Sequence, residues 1–488
     1  MRGIVIALGG LILVWLGSAL LPVHFDEAQY ATWLAFPDFS YQTKGPWVTF
    51  TQSLTHTLSW LPQTVQVRLP AWIAWLGSAA ALLWLGHLAG LDRRQSRLLL
   101  LMFVTSPLIL TLGSVHTTDI WLLCFILVAY GAMASVISAH PRSHPELWWM
   151  VMGGALGLGA LSKLSIALIP LSILPWVLLR SPHLLLTPGP YLGALFCALC
   201  FSPWIAWNLE NDFSHFKHEF GHVGSEGSSP IQAVNWIPGF LLAAMPLFAW
   251  MLFGGLRLKP MASSFDDDTS ARVREMLLAS FVTLAAFFVV KGLFGEVLLN
   301  WALPLLPALL IVWAERFKGS LQTAGVLGVL QVAVLLLLLF PYSLGLSKDR
   351  DAFQKIRGWD RAMADAAVLA GPTEVLSAGH YSTLAWALYF WPSEAADATR
   401  YGAPLGQVVP ETTRRLNQYD HWGVLQTPHA RVVHLGGYSE AMAARCGSFT
   451  LLGTVSQIMP DDTVRSTLDV YECLDFVPEP AWPAIVRY

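Results

Sequence analysis

Long apolar runs occupy the first 345 positions of the chain, separated by short polar segments. Windows able to cross about 30 Å of hydrocarbon, roughly 20 residues each, fall near 3–22, 65–89, 98–115, 120–138, 147–162, 164–179, 190–207, 236–256, 276–294, 299–314 and 321–344. The pattern predicts a polytopic α-helical membrane protein of about eleven transmembrane helices. Two of these meet at Ser162-Lys163, and another pair adjoins Glu296. After Leu346 charged and apolar positions mix. Val375 to Ala378 reads as a strand leading into a helix over 383–390, and 430–435, 449–458 and 468–476 have the apolar, β-branched content of strands. The expected organisation is a membrane domain over 1–346 and a soluble C-terminal α/β domain over 347–488, with Pro478, Pro480 and Pro483 marking an irregular tail.

Composition reinforces this reading. Of 488 residues, 55% are hydrophobic and 12% charged, with a mean hydropathy of +0.53, whereas ordinary soluble chains carry about 25% charged residues. A net charge of -3 and no clustered basic patch exclude a nucleic-acid partner. Lys and Arg also fix a direction. With the N-terminus inside, the inner loops hold Arg2, Arg93, Arg94, Arg97, Arg142, Arg180, Arg257, Lys259, Arg272, Arg274, Arg316 and Lys318. The outer loops and span ends hold Lys44, Arg68, Lys163, Lys217 and Lys291. Positive-inside bias places the N-terminus in the cytoplasm and the C-terminal domain outside it, in the periplasm of a bacterial inner membrane. The first run is long and lacks a small-residue cleavage site, so it is read as an anchor rather than a leader.

Candidate chemistry lies at the outer ends of the spans. Asp26 and Glu27 follow the first span, and carboxylates at a membrane boundary are expected to serve function because desolvating them is costly. The segment 23–63 is too long for a plain turn. Its aromatics at 30, 33, 36, 39, 41 and 47 suggest an interfacial helix. If that helix begins near Asp26, both acids lie in its first turn, either as caps or as ionised groups able to take a proton. Lys44, before Gly45-Pro46, is read either as a cation on a tight turn close to those carboxylates or as a snorkelling lysine, and Lys163 as a lone cation matched to a phosphate at the outer interface. Asp119, after His116-Thr117-Thr118, is either a helix cap or a second functional acid. In the loop 208–235, His215, His218 and His222 share one face of an expected amphipathic helix. A divalent metal, a solvated face and a contact to acceptor or phosphate stay open there, and no compact ligand motif is assigned. Cys124, Cys197 and Cys200 lie in spans as small buried hydrophobes. Cys446 and Cys473 stand beside predicted strands in the outer domain, as a candidate disulfide pair or as two free thiols.

In order, these residues form a recognisable series: Asp26-Glu27-Ala28 with Tyr30 and Trp33, Lys44-Gly45-Pro46, Thr117-Thr118-Asp119, Gly157 to Lys163, Trp207-Asn208, and Asn300 to Pro304. The series resembles that of the bacterial membrane glycosyltransferases of the GT-C fold, the group of protein O-mannosyltransferases and of the aminoarabinose transferase that modifies lipid A. More loosely, His380-Tyr381, Leu388 to Phe390 and Asn417 to Trp422 are similar to outer domains in that group. The resemblance implies transfer of a sugar from a polyprenyl phosphate (undecaprenyl phosphate-like) donor to an acceptor on the outer face, with inversion and with no nucleotide sugar; no cofactor is assigned, and a divalent metal stays open. The acceptor would be lipid A or lipopolysaccharide, another lipid or glycan, or protein. It implies Asp26 as general base with Glu27 in support, Asp119 as a second acidic group, and Lys44 and Lys163 on the donor phosphate. Tyr30, His116, Asn208, His218 and Asn300 follow as candidate substrate contacts. The common Lys-Pro-Pro is here Lys44-Gly45-Pro46. A transporter or lipid flippase is the alternative, and it would show charges in mid-span and repeat symmetry. A non-catalytic scaffold is a third.

Overall fold

The computed structural model describes residues 2–139, 144–221, 232–244, 269–317, 320–339, 341–345, 353–373, 375–391, 405–409, 417–422 and 424–478, together with residues 349 and 351. Apolar windows and helices coincide closely. The first is α1 (Arg2–Leu20), and the loop after it folds into two short helices, α2 (Phe25–Trp33) and α3 (Trp47–His56). Then come α4 (Gln63–Leu88), α5 (Arg93–Thr105), α6 (Pro107–Ser114), α7 (Thr118–Ile137), α8 (Pro145–Ser162), α9 (Leu168–Arg180) and α10 (Gly189–Glu210). Beyond these lie α11 (Ser214–Gly221), α12 (Gln232–Ala244), α13 (Thr269–Leu293), α14 (Leu306–Arg316) and α15 (Leu321–Leu339). Among the described residues, five helices are long and apolar enough to cross a membrane, or six if the bent pair α5–α6 is one span. The second half of the window at 236–256, like Arg142, His222, Arg257, Lys259 and Lys318, lies outside the described residues.

Local chemistry explains the interruptions. Asp92 starts α5 by accepting from Arg94 N and Gln95 N, and Gln95 returns a bond to Asp92 N. The run ends at Ser106-Pro107, since Pro107 has no N–H to continue the ladder, and α6 leaves at 60°. The window at 299–314 is likewise divided, into a 3-10 turn (Leu299–Leu305) and α14, around Pro304 and Pro307. Between α8 and α9 the backbone of Lys163 is extended (φ -155°, ψ 126°), so the chain turns there and presents the lysine. α8 packs closely on α10: a Cβ on Gly153 would come 1.9 Å from the carbonyl oxygen of Gly193, leaving room only for glycine.

Basic loops assigned to one side meet at one end of the bundle. Arg94 donates to Phe317 O, Gln95 to Glu315 O and Arg274 to Ala89 O, while Arg180 pairs with Glu275 at 2.7 Å. Elsewhere the helix Phe25–Trp33 packs along the helix Tyr381–Phe390 of the C-terminal domain, and Val67 of α4 joins that contact.

That domain contains α16 (Trp359–Ala370), α17 (Tyr381–Phe390), α18 (Gln418–Trp422), α19 (Glu440–Ala443) and a five-stranded mixed sheet of order β2-β1-β3-β5-β4. The strands are β1 (Val375–Ala378), β2 (Leu405–Val408), β3 (His429–Leu435), β4 (Ser448–Ile458) and β5 (Val464–Phe476). β1 runs parallel to β2 and β3, whereas β5 is antiparallel to β3 and β4. β1 is buried along its whole length, as expected of a strand with parallel neighbours on both sides. Cys446 and Cys473 form a disulfide, with Cα atoms 5.4 Å apart. The core of the outer domain runs without a break into the membrane part, because Val23, Ala28, Ala31 and Val67 belong to the same buried cluster as Leu384, Ala385, Trp386 and Leu388.

Candidate functional site

Pro22 and Val23 leave the first span, and His24 caps α2. Its Nδ1 accepts from Asp26 N at 3.2 Å, while the Glu27 carboxylate accepts from His24 N at 3.0 Å. The two neighbouring acids then diverge.

Glu27 is fully buried. Its Oε1 accepts from Arg68 Nε (2.8 Å) and His116 N (2.9 Å), and its Oε2 accepts from Arg68 Nη2 (2.7 Å) besides His24 N. The remaining Arg68 N–H groups go to the carbonyls of Ser18, Leu21 and Pro22 at the end of α1, so all five guanidinium donors are used. Burial alone would raise the Glu27 carboxyl. Arg68 and the two backbone N–H groups more than offset that and hold it below its usual range. Glu27, expected among the catalytic carboxylates, is therefore a structural clamp joining α1, α2, α4 and the turn before α7. It offers no free oxygen to a substrate.

Asp26 is the opposite case. Its carboxylate has His24 Nδ1 at 3.7 Å, its side chain is 23% exposed, and it accepts no hydrogen bond among the described residues. Lys44 is similarly free: its ammonium makes no ion pair or hydrogen bond among the described residues, though its carbonyl accepts from Tyr41 N. Burial depresses that ammonium, and Asp26, Glu219, Asp119 and Tyr381 together more than restore it, so Lys44 stays charged. Gly45 explains the departure from Lys-Pro-Pro. A Cβ there would stand 1.9 Å from Leu161 O, and a proline has one, so glycine is what lets the Lys44 turn press against the end of α8.

Asp119 does not cap α7. Its Oδ1 pairs with Lys163 Nζ at 2.7 Å and its Oδ2 accepts from Asn300 Nδ2 at 2.9 Å, while Ser162 donates to Thr118 O. Three expected residues, Asp119, Lys163 and Asn300, thus form one polar knot between α7, the end of α8 and the 3-10 turn at 299–305. Lys163 is committed to Asp119, which leaves Lys44 as the cation at hand for an incoming anion.

The other expected contacts divide. Tyr30 is buried with its ring between Trp33 and His116, and burial together with Asp26 and Asp119 keeps its hydroxyl protonated. His116 is fully buried, its ring nitrogens have no hydrogen-bond partner among the described residues, and burial lowers it to about 4, so it is neutral near pH 7. Asn208 is spent on structure: Nδ2 donates to Trp204 O and Oδ1 accepts from Phe216 N, closing the turn between α10 and α11. His218 lies on α11 beside Glu219 and acts on its charge.

Sequence reasoning gave no site role to three residues. Arg68 served only as an exception to the charge bias. Glu219 stood unremarked among histidines. Burial would raise its carboxyl, but His215 with Nε2 at 3.8 Å, then Lys44 and His218, hold it well below the ordinary value. His215 Nδ1 accepts from Trp204 Nε1, which directs its Nε2 proton toward Glu219. The assignment of no compact motif here is also corrected, since His218-Glu219-Phe220-Gly221-His222 has the His-Glu-x-x-His order. His222 is outside the described residues, and among those described no group of three His, Cys, Asp or Glu is placed to hold a metal. The third residue is Tyr381, from the outer domain, which lies within electrostatic reach of Asp26 and Lys44.

Comparison with known proteins gives a consistent picture. Residues 43–207 match the family described as dolichyl-phosphate-mannose-protein mannosyltransferase, a stretch that holds Lys44, Asp119 and Lys163 and begins after Asp26. The undecaprenyl phosphate-alpha-4-amino-4-deoxy-L-arabinose arabinosyl transferase of Pectobacterium carotovorum subsp. carotovorum (strain PC1) is 28% identical over 253 residues, 50% of this chain and 43% of that one. A counterpart from Sodalis glossinidius (strain morsitans) is 29% identical over 235 residues, 46% of this chain and 40% of its own. The chain thus spans less than half the length of these relatives. Among solved structures, ArnT from Cupriavidus metallidurans in the apo state aligns over 96% of this chain and 97% of its own, with a TM-score of 0.66 and 13% identity. Its form bound to undecaprenyl phosphate gives 0.63, also at 13% identity. The described helices and the small C-terminal sheet therefore have an ArnT-like arrangement, and the fold of this chain is that of the GT-C membrane glycosyltransferases.

Proposed function

We propose that the chain transfers a sugar from a polyprenyl phosphate donor to a hydroxyl acceptor at the outer membrane face, with inversion. One observation carries this reading: among the described residues the Asp26 carboxylate accepts no hydrogen bond and has only His24 Nδ1 near it, at 3.7 Å, and the Lys44 ammonium makes neither hydrogen bond nor ion pair, while the Glu27–Arg68 and Asp119–Lys163 pairs are satisfied. Groups of both signs left open in this way suit a reaction that takes a proton and releases an anion.

In the proposed step the acceptor O–H bond breaks as its proton passes to Asp26. The freed oxygen bonds to the anomeric carbon on the face opposite the phosphate. The anomeric C–O bond breaks with its electron pair, and the phosphate leaves on its lipid beside Lys44, whose fixed charge stabilises it. Asp119, held by Lys163 and Asn300, shapes the wall on which sugar and acceptor are oriented. The arabinosyl transferase relatives support a lipid-linked sugar as donor. The acceptor belongs to the class of lipid A or lipopolysaccharide, another glycan, or protein.

We place the chain in the bacterial inner membrane with about eleven crossings, the N-terminus cytoplasmic and residues 347–488 periplasmic. The loop arginines gathered at the end of the bundle away from Asp26 support this orientation.

The test uses the purified full-length protein in nanodiscs with total bacterial polyprenyl lipids and envelope glycolipids, and follows release of free undecaprenyl phosphate. Wild type is expected to release it and Asp26→Asn to be slower by at least about a hundredfold, the usual cost of losing a general base. Equal rates would remove Asp26 from the chemistry.

A further inference from the structure

The outer domain grips the two segments that present Asp26 and Lys44. On the first, Trp386 of α17 donates from Nε1 to Val23 O at 3.1 Å. Phe25, the neighbour of Asp26, is held between two rings of the same helix: Tyr381 meets it edge-on at 5.8 Å and 79°, and Trp386 at 5.8 Å and 88°. Trp359 stacks on the far side of Trp386 at 4.8 Å. Ala28 and Ala31 line the contact, and such small side chains let α17 lie close along α2. On the second segment, Gln42 N donates to Gln418 Oε1 at 2.6 Å and Trp422 stacks on Phe36 at 4.4 Å. Tyr419 lies 3.4 Å from the Thr32 hydroxyl.

This grip has a chemical consequence at Tyr381, the first residue of α17. The phenol is half-buried, and its ring is positioned by Phe25 and by His380 at 4.6 Å. Its hydroxyl makes no hydrogen bond among the described residues. Burial and the charge of Asp26 keep it protonated, against the weaker pull of Lys44, so it can donate a hydrogen bond. Asp26 and Lys44 both act on it, and an anion held by Lys44 would give the phenol an acceptor that the described residues do not supply.

We infer that Tyr381 is a substrate-binding residue contributed by the outer domain, its hydroxyl donating a hydrogen bond to the phosphate of the polyprenyl donor held at Lys44. The inference rests on the proposed use of a lipid phosphate. It makes the outer domain part of the binding site rather than a cover over it, because no membrane helix supplies this hydroxyl.

Binding of undecaprenyl phosphate to the full-length protein in nanodiscs tests it, read by intrinsic tryptophan fluorescence for wild type, Tyr381→Phe, Tyr381→Ala and Lys44→Met. Tyr381→Phe keeps the ring on Phe25 and removes only the oxygen. It is expected to weaken binding about tenfold, as for one hydrogen bond to a charged acceptor, with an unchanged unfolding temperature. Lys44→Met should weaken binding further. If Tyr381→Phe binds as wild type while Tyr381→Ala and Lys44→Met are impaired, the tyrosine only packs on Phe25, and the inference fails with the phosphate reading intact. If Lys44→Met also binds as wild type, the phosphate reading fails with it.

Discussion

Asp26 and Glu27 are adjacent, equally acidic and equally close to the membrane, yet one is locked and the other open. The difference lies in Arg68, 41 positions away from Glu27, which a local reading counts only as a misplaced charge. The sequence thus showed where the acids are but not which one is free, since that depends on a contact between the start of α2 and the outer end of α4. Breaking such a buried pair leaves an uncompensated charge, so Arg68→Met is expected to cost about 3–5 kcal/mol in unfolding experiments. Adding Glu27→Gln should recover part of that loss. A single Arg68→Met with wild-type stability would contradict the clamp. Glu219 yields a pH prediction. Its carboxyl, ordinarily near 4.5, sits at about 2 in the folded chain, chiefly through His215 and Lys44 acting against burial. A depressed carboxyl adds stability that is complete above its ordinary value and fades as the pH falls through 4.5 toward 2. Glu219→Gln should therefore flatten the fall in unfolding temperature between about pH 5 and pH 3. An unchanged slope would mean that the pairing is absent.

Among the elements, hydrophobic periodicity located the helices well and their interruptions poorly. The windows at 98–115 and 299–314 read as single spans, but Pro107 in one and Pro304 with Pro307 in the other divide them, because proline acts on the hydrogen-bond ladder and not on hydropathy. The aromatics of the long loop at 23–63 led to the expectation of an interfacial helix, whereas the folding of the loop into α2 and α3, with Lys44 between them, depends on packing against α8. β2 was missed because Leu405-Gly406-Gln407-Val408 is short and carries a glycine. Gly45 is where an element contact governs the site most directly. Gly45→Ala should displace the Lys44 turn from Leu161 and lower the rate of transfer by about a hundredfold, as for a shift of about 1 Å in a reacting group. Unfolding temperature should fall as well, because the clash is with a backbone carbonyl of α8. Normal activity in this variant would show that the close approach is unimportant.

For the molecule as a whole, the change of composition after Leu346 pointed to the α/β content that the C-terminal sheet displays, but nothing in the sequence showed that its core would merge with Val23, Ala28 and Ala31. Contacts between parts more than 300 residues apart, such as Trp386 with Val23, carry no local pattern. The disulfide closes a loop of sequence separation 27 in this domain. Cys446→Ser is expected to destabilise the outer domain by about 2–4 kcal/mol, seen as an early unfolding step. Because α17 backs α2, donor binding should weaken once that step is passed. Unfolding of the outer domain with donor binding intact would separate the two parts. Asp26, Lys44 and the Asp119–Lys163 pair gather near the contact with this domain, and the described residues reveal no charged pathway through the middle of the spans. A transferase working at one face accounts for this arrangement better than a transporter.

The most direct test of that account is mass spectrometry of envelope glycoconjugates and polyprenyl phosphate sugars from cells carrying the wild-type chain, Asp26→Asn, or no copy of the gene. Loss of one sugar from a glycoconjugate, with its polyprenyl phosphate form accumulating in both altered strains, is the predicted result. Unchanged glycans together with an altered distribution of lipids across the membrane would contradict it.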